Sequence, residues 1–256
     1  MFIKETVFIG IDPSCGEDSL TYAVLDKDLH ILALSQQRLN TVSAFVGGQK
    51  SAVVGVNAPR RPNQGLMKND AVRDSLKPPP TPERFRTFRV AEYLLFQHNI
   101  RIPRTPANVS ECPGWMQVGF KLYRNLEEMG FVDYPDQEKG QTTLEVYPHA
   151  AYTALLERIP FLKKTLEGRL QRQLLLHSLS VAVPDPMELF EEITRYKILQ
   201  GDLPLERLYS LEELEALMAA YLAWKAISAP DQVSLVGDPR EGQILLPVKD
   251  LKPKYT

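Results

Sequence analysis

The fold is constrained most by a short apolar run near the start of the chain, Val7 to Ile11, which ends on Asp12. An apolar run of this length is typical of a buried strand. A carboxylate at the end of such a strand is costly unless it binds a cation or accepts hydrogen bonds. The pattern predicts a metal or phosphate site at the carboxyl edge of a sheet, and an acid that only caps a turn is the alternative.

Strand and helix patterns alternate along the rest of the chain. Strands are predicted at 7–11, 20–25, 29–34, 52–56, 142–147 and 243–246. Helices are predicted near 42–46, 88–96, 115–129, 150–158, 164–178, 186–200 and 210–227. Residues 60–140 contain a Pro-rich stretch and are interpreted as an insertion or an elaborated crossover. The order of elements predicts one α/β domain over residues 1–256, with an antiparallel three-strand meander and parallel strands in a mixed sheet flanked by helices.

Composition limits the partners and the compartment. The chain is 44% hydrophobic and 24% charged with a net charge of -2, so no general attraction to nucleic acid or to anionic membranes is expected, although a local basic groove stays open. Its apolar runs are too short to span a bilayer, and no membrane partner is expected. The two cysteines, Cys15 and Cys112, exclude a thiolate zinc cluster within one chain. A cytoplasmic location is therefore expected.

Polar side chains lie at or near the ends of three predicted strands. They are Asp12, Asn57 and Glu145, and we expect them to converge because open α/β sheets bind ligands at the carboxyl ends of their strands. Glu212 and Glu215 share one face at the start of the 210–227 helix, where ordinary solvated acids are the alternative. Gathered carboxylates repel one another unless a cation lies between them. Hard oxygen ligands of this kind favour Mg²⁺ or Mn²⁺.

Four arginines are candidates for contact with substrate phosphate. Arg61 and Arg73 follow the fourth strand, in a loop that would overhang the site, and Asp70 could instead be their salt-bridge partner. Arg169 and Arg172 share one face of the 164–178 helix, where a solvated basic face is the alternative. A guanidinium can bind phosphate through two parallel hydrogen bonds, which is the reason for this prediction.

His149 follows the fifth predicted strand, close to Glu145. There it could shuttle a proton or position a water molecule. Packing beside Tyr147 at the start of a helix is the other interpretation, and the sequence leaves both open.

Short motifs along nearly the whole chain occur in an order and spacing that resemble those of one family. They are Gly10-Ile11-Asp12, Val56-Asn57-Ala58-Pro59 with Arg61 and Asp70, Arg89-Val90-Ala91-Glu92, Glu145-Val146-Tyr147-Pro148-His149, Lys163 or Lys164 with Gly168-Arg169 and Arg172, Glu215-Ala216 through Ala219-Ala220, and Gly237-Asp238-Pro239 to Gly242-Gln243-Ile244. The chain resembles an uncharacterised family described as predicted nucleases of ribonuclease-H-like fold. The resemblance implies a three-stranded meander flanked by parallel strands, with acids that hold catalytic Mg²⁺ in related nucleases.

The chain departs from the family's pattern in two ways. Asn57 stands where Asp is usual, and an amide supplies no anionic charge. Glu212 and Glu215 stand where Asp is usual, which lengthens each ligand arm by one methylene. Both departures bear on whether the site binds metal.

Two functions follow as hypotheses. The first is a Mg²⁺- or Mn²⁺-dependent phosphodiesterase acting on nucleic acid, in which Asp12, Glu145 and Glu215 bind the metal, Glu212 is an auxiliary acid and Asn57 is a neutral ligand or substrate contact. The second is a noncatalytic module with a degenerate site that binds nucleic acid or a phosphorylated partner. Resolvases of this fold tend to dimerise, and the sequence does not decide between a monomer and a homodimer. The ATPases related to this fold need glycine-rich loops that bind phosphate. The sequence has 14 glycines but no segment with the pattern of such a loop, so an ATPase is ranked last among the hypotheses.

Overall fold

The computed structural model describes residues 5–14, 19–136 and 140–256, and these residues form a mixed α/β structure. The strands are β1 (Val7–Asp12), β2 (Ser19–Leu25), β3 (Ile31–Arg38), β4 (Ala52–Val56), β5 (Val132–Asp133), β6 (Gln141–Val146), β7 (Ser234–Asp238) and β8 (Gly242–Leu246). The α-helices are α1 (Leu39–Gly47), α2 (Asp70–Ser75), α3 (Val90–Gln97), α4 (Gly114–Glu128), α5 (Pro148–Leu156), α6 (Leu166–Ser178), α7 (Glu188–Glu192), α8 (Arg195–Gln200) and α9 (Leu211–Ser228). Cys15 lies outside the described residues, whereas Cys112 is buried.

The strands form one sheet in the order β3-β2-β1-β4-β6-β8-β7, with β5 beside β6. β1, β2 and β3 pair as an antiparallel meander. β4, β6 and β8 continue the sheet parallel to β1, and β7 closes it as an antiparallel partner of β8. The predicted mixed sheet is therefore confirmed, and the arrangement is consistent with a ribonuclease-H-like fold. It brings the carboxyl ends of β1, β4 and β6 to one edge.

Helices cover both faces of the sheet. On one face α9 packs against the sheet together with α5 and α6, in a core that includes Phe8, Leu144 and Tyr152. On the other face α1 and α4 pack against the alternate residues of the same strands, such as Ile9 and Val56. This alternation follows from the two-residue period of a strand. None of the described helices combines the length and the apolar character that crossing a bilayer requires.

The structure differs from the sequence prediction at one predicted helix and at one strand that was not predicted. The single helix predicted at 186–200 is two short helices, because Thr194 leaves the helical conformation and its side chain accepts a hydrogen bond from the Lys197 backbone to start α8. β7 was not predicted as a strand. Its residues are only half-buried at the edge of the sheet, so their pattern is weak, and pairing with β8 defines the strand.

Two glycines allow α9 to lie very close to the sheet. A Cβ atom on Gly10 would lie 2.0 Å from the backbone oxygen of Ala216, and one on Gly55 would lie 2.5 Å from the backbone oxygen of Ala219. Real Cβ atoms do not approach backbone this closely, so a side chain at either glycine would push the helix away. The two glycines thereby hold the early turns of α9 against the carboxyl ends of β1 and β4.

We expect Gly10→Ala to lower the free energy of unfolding by about 1–3 kcal/mol, because the added methyl overpacks the contact with Ala216. Urea denaturation of the variant and the wild type measures this difference. Gly114→Ala is the matched control, because a Cβ atom at Gly114 meets nothing within 4 Å. Equal stability of the Gly10→Ala and Gly114→Ala variants would show that α9 is not held by this contact.

Candidate functional site

Two buried carboxylates and one amide meet where β1, β4 and α9 come together. Asp12 ends β1, Asn57 follows β4, and Glu215 lies in the early turns of α9. The Asn57 Nδ2 atom donates to Asp12 Oδ1 at 3.0 Å and lies 3.4 Å from Glu215 Oε2, its second acceptor. Asp12 is 1% exposed and Glu215 is 2% exposed. The amide therefore bridges two acids that are almost completely removed from water.

Burial makes both acids hard to ionise. It raises the pKa of Asp12 to about 6, against the opposing hydrogen bonds from Ser14 Oγ and Asn57. It raises the pKa of Glu215 to about 7, and the neighbouring charge of Asp12 adds to this rise while Lys163 opposes it. Glu215 Oε1 is buried and has no hydrogen-bond partner among the described residues. One buried oxygen of the pair therefore lacks a hydrogen-bond donor among the described residues.

Glu212 lies one turn before Glu215 and adds a third negative charge. It is half-buried, and its charge raises the pKa of both Asp12 and Glu215 after the larger effect of burial. The start of α9 is fixed by a reciprocal cap, in which Ser210 Oγ accepts from the Glu213 backbone and the Glu213 carboxylate accepts from the Ser210 backbone. The structure thus brings Asp12, Asn57, Glu212 and Glu215 to one place.

Glu145 does not join this group, because it lies on the opposite face of the sheet. Its neighbours Leu144 and Val146 pack on the α9 side, so the alternation along β6 turns Glu145 toward the α4 side. There its two carboxylate oxygens accept from Arg89 at 2.7 Å and 2.8 Å, and one of them also accepts from the Arg60 backbone at 2.9 Å. Arg89 and Glu145 therefore form a buried ion pair.

The described residues contain one group of three side chains whose ligand atoms all lie within 4.8 Å of one another. These are Asp26, Asp28 and His30, in the connection between β2 and β3. Asp26 Oδ1 accepts from the backbone nitrogens of Asp28 and His30, which accounts for this arrangement as a turn. The predicted metal ligands Asp12, Glu145 and Glu215 do not form such a group, so the acids near α9 act as a pair with Glu212 beside them.

Two of the four predicted arginine contacts are engaged elsewhere. Arg73 is buried and donates to the backbone oxygens of residues 67, 81 and 84. Arg169 donates to the backbone oxygens of Tyr209 and Leu208, and so ties α6 to the segment before α9. These two side chains hold loops in place rather than meeting at the acid pair. Arg61 is half-buried and its charge acts on Asp133 at the end of β5, and its contact with substrate stays a prediction.

Arg172 and His149 line a cavity of about 420 Å³, together with Lys163. Burial, together with the charges of Arg172 and Lys163, lowers the pKa of His149 to about 4. His149 is therefore neutral near pH 7. Its ring packs edge-on against Tyr147 at 6.0 Å between centroids, while its Nδ1 atom is buried without a partner among the described residues. The packing beside Tyr147 is as one interpretation of the sequence expects, and the role in proton transfer or water positioning stays a prediction.

Sequence reasoning gives Ser14 no role in the site, and it includes Lys163 and Arg89 among the family motifs without assigning either a contact with a named acid. Ser14 lies in the turn after β1, and its hydroxyl donates to Asp12. The charge of Lys163 reaches both Asp12 and Glu215, although Lys163 lies in a loop about fifty residues before Glu215 and about 150 residues after Asp12. Arg89 is also distant in sequence from Glu145. Hydroxyls, lysines and arginines in loops are common, so no local pattern shows which acids these three side chains act on.

Comparison with curated proteins and comparison with solved structures found no match. One family model matches residues 10–241, which include Asp12, Asn57, Glu145, Glu212 and Glu215. Since the match spans most of the chain, the protein belongs to the family described as protein of unknown function DUF429.

Proposed function

We propose that the protein is a divalent-metal-dependent phosphodiesterase that acts on nucleic acid. The observation that carries this proposal is the buried pair of Asp12 and Glu215, bridged by Asn57, in which one carboxylate oxygen of Glu215 has no hydrogen-bond partner among the described residues. Two acids in this state are stabilised by a cation that replaces their lost hydration. The family resemblance supplies the reaction class as an expectation and does not by itself fix function.

The residues fit Mg²⁺ or Mn²⁺. Asp12 and Glu215 would hold the ion through carboxylate oxygens, and the charge of Glu212 adds to the attraction. Turning the Asn57 amide by 180° would present its carbonyl oxygen in place of Nδ2, so the same residue can serve the site with and without a cation. When bound, the ion would stabilise the charge that develops on the phosphate oxygens and activate a water molecule.

Glu145 is not a ligand in this proposal. Its carboxylate is directed to the other face of the sheet, where Arg89 and the Arg60 backbone hold it. Its role is to anchor α3 and the loop after β4 behind the site. The predicted set of three metal ligands is thus reduced to Asp12 and Glu215, with Glu212 and Asn57 beside them.

His149 takes the part of a positioning residue. Because its pKa is lowered to about 4, the ring is neutral near pH 7, where it can accept a hydrogen bond and where too little imidazolium is present to serve as a general acid. Its Nδ1 atom, which has no partner among the described residues, would accept from water or from a substrate hydroxyl.

A titration with Mn²⁺ by calorimetry, followed by cleavage assays on single-stranded and duplex nucleic acid, tests the function. We expect the wild type to bind Mn²⁺ and cleave, and Asp12→Asn to lose binding by about tenfold or more together with cleavage, since a buried ligand charge is removed. Asp26→Asn is the matched control, because it removes an acid from the exposed three-residue group. Normal cleavage by Asp12→Asn, or equal Mn²⁺ loss in both variants, would contradict the assignment.

A noncatalytic module that binds nucleic acid or phosphate is the second candidate. It is favoured by the Asn57 amide, whose nitrogen donates to one carboxylate and faces the other where an ion would otherwise lie. This function predicts salt-sensitive binding that EDTA leaves unchanged, without cleavage in Mn²⁺. Cleavage that depends on Asp12 would exclude it.

A further inference from the structure

The cavity of about 420 Å³ that His149 lines has a basic lining. It lies beside the start of α5, the segment 159–163 and α6, and its charged residues are Arg101, Lys163 and Arg172. Within the described part of the chain, no acidic residue lines it. Its volume is in the range of pockets that enclose small ligands. These features favour an anionic ligand of modest size.

Arg172 is the buried part of this lining and is only partly satisfied. Its Nη1 atom donates to the backbone oxygens of Phe161 at 3.1 Å and Gly168 at 2.8 Å. Its Nε and Nη2 atoms are buried and have no hydrogen-bond partner among the described residues. These two atoms form the side edge of the guanidinium, which can donate two parallel hydrogen bonds to a phosphate. Unpaired buried donors are costly, so an anion at this edge would be stabilising.

Two of the cavity's cations are also within electrostatic range of the acid pair. The charges of Lys163 and Arg172 both act on Glu215, and that of Lys163 also acts on Asp12. His149, which also lines the cavity, has no partner for Nδ1 among the described residues. A phosphate bound to Lys163 and Arg172 would therefore share these cations with the acid pair.

Apolar side chains on an exposed loop form another part of the lining. Phe161 is 57% exposed and Leu162 is 78% exposed, although both are large hydrophobic residues. Their loop is held in place, because the Phe161 backbone donates to Gln171 Oε1 at 2.8 Å and the Ile159 backbone donates to the Thr256 oxygen. Apolar surface presented on a fixed loop beside cations suits a flat base attached to a phosphate.

We propose that this cavity binds one unpaired nucleotide, with its phosphate on Arg172 and Lys163 and its base against Phe161 and Leu162. The proposal rests on the proposed function and narrows its substrate class to single-stranded nucleic acid. A base inside a duplex is stacked on both sides and paired, so it cannot enter a cavity, whereas an unpaired base can turn outward. Recognition through stacking and phosphate charge is tolerant of base identity.

Calorimetry with AMP, adenosine and inorganic phosphate, in EDTA, tests the cavity without any metal. We expect AMP to bind more tightly than either part alone, and Lys163→Gln to weaken AMP binding by about tenfold through loss of a phosphate contact. Lys164→Gln is the matched control, since Lys164 is the adjacent exposed lysine and does not line the cavity. Failure of millimolar AMP to bind the wild type would overturn the proposal, as would equal weakening in both variants.

Binding of a single-stranded oligonucleotide and of its duplex, again in EDTA, tests the substrate class. We expect tighter binding of the single strand, and Phe161→Ala to remove most of that preference because it deletes the stacking surface. Phe190→Ala is the control, as Phe190 is similarly exposed in α7. A duplex bound as tightly as the single strand would overturn the proposal.

The two proposals fail in different experiments. AMP binding with no Mn²⁺-dependent cleavage would contradict the phosphodiesterase and leave the nucleotide site standing. Mn²⁺-dependent cleavage that needs Asp12, without AMP binding, would do the reverse.

Discussion

Arg89→Met is expected to lower the free energy of unfolding by about 3–5 kcal/mol, the largest loss that the structure predicts for a single substitution. Arg89 and Glu145 have side chains that are 1% and 3% exposed, and they are joined by two hydrogen bonds. Although burial alone would lower it, the charge of Glu145 raises the pKa of Arg89 above its ordinary value. Removing the cation would leave the Glu145 carboxylate buried without its partner.

The surroundings of the pair add to this cost. Arg89 Nη2 also donates to the backbone oxygens of Glu241 and Gly242, which would lose their donor. The Glu241 carboxylate in turn accepts from the backbone of Val90 at the start of α3. Arg89 therefore joins β6, the β7–β8 turn and α3, and its loss would loosen all three.

Urea denaturation measures this effect, and the chain offers a control with the same chemistry at the surface. Arg240 donates two hydrogen bonds to Asp238, but its side chain is 60% exposed. Arg240→Met is expected to lower the free energy of unfolding far less than Arg89→Met, because exposed ion pairs contribute little to stability. The double variant Arg89→Met/Glu145→Leu should recover part of the loss, since no charge is then left buried. A loss in Arg89→Met no larger than that in Arg240→Met would refute the buried-pair interpretation.

The sheet and one edge of the site could be predicted from the sequence. Apolar strands ending in polar residues predicted that Asp12 and Asn57 would meet, and they do so because β1 and β4 are adjacent and parallel. The i and i+3 spacing on α9 predicted that Glu212 and Glu215 would lie close together. In the structure the charge of Glu212 raises the pKa of both Asp12 and Glu215. These inferences depend on short-range pattern and strand direction, which a sequence records well.

The position of Glu145 could not be predicted in the same way. β6 is buried on both faces, so its apolar residues do not tell which face packs against α9, and that choice decides whether Glu145 meets Glu215. Its partner Arg89 comes from a helix start far along the chain, and such a contact has no local signature. Arg169 and Arg172 show a related limit, because long side chains from one helix face diverge to different backbone oxygens.

Asp12→Asn is expected to be more stable than the wild type at about pH 8 in EDTA, by about 2–3 kcal/mol. Asp12 has a pKa of about 6 in the folded protein against an ordinary value of 3.8, so the unfolded chain releases this proton first as pH rises. Ionisation then favours unfolding between about pH 4 and pH 6, and the full cost persists above that range. Near pH 4 Asp12 is largely protonated in the folded protein and about half ionised in the unfolded chain, so the variant should show little advantage.

Urea denaturation at both pH values measures this difference, and Asp26→Asn provides a control of opposite sign. Burial is the largest single effect on the pKa of Asp26 and raises it. The hydrogen bonds from Asp28 and His30 together lower the pKa by more, so the net shift is downward. Its ionised form therefore stabilises the fold above its ordinary pKa, and that contribution is lost as pH falls. Asp26→Asn should be less stable than the wild type near neutral pH. If Asp12→Asn were less stable than the wild type at pH 8, the ionised Asp12 carboxylate would not be destabilising the fold.

The effect of metal ions on stability tests whether the buried carboxylates of Asp12 and Glu215 bind a cation. If Asp12 and Glu215 hold a cation, millimolar Mn²⁺ should stabilise the wild type more at about pH 8 than at about pH 5, because protons and the ion compete for the same oxygens. Asp12→Asn should gain little from Mn²⁺ at either pH. Asp26→Asn, with the buried pair intact, should gain as much as the wild type. A buried acid pair that lowers stability until a ligand arrives is the pattern expected where function and stability compete. Equal stabilisation of wild type and Asp12→Asn by Mn²⁺ would place the ion elsewhere on the chain.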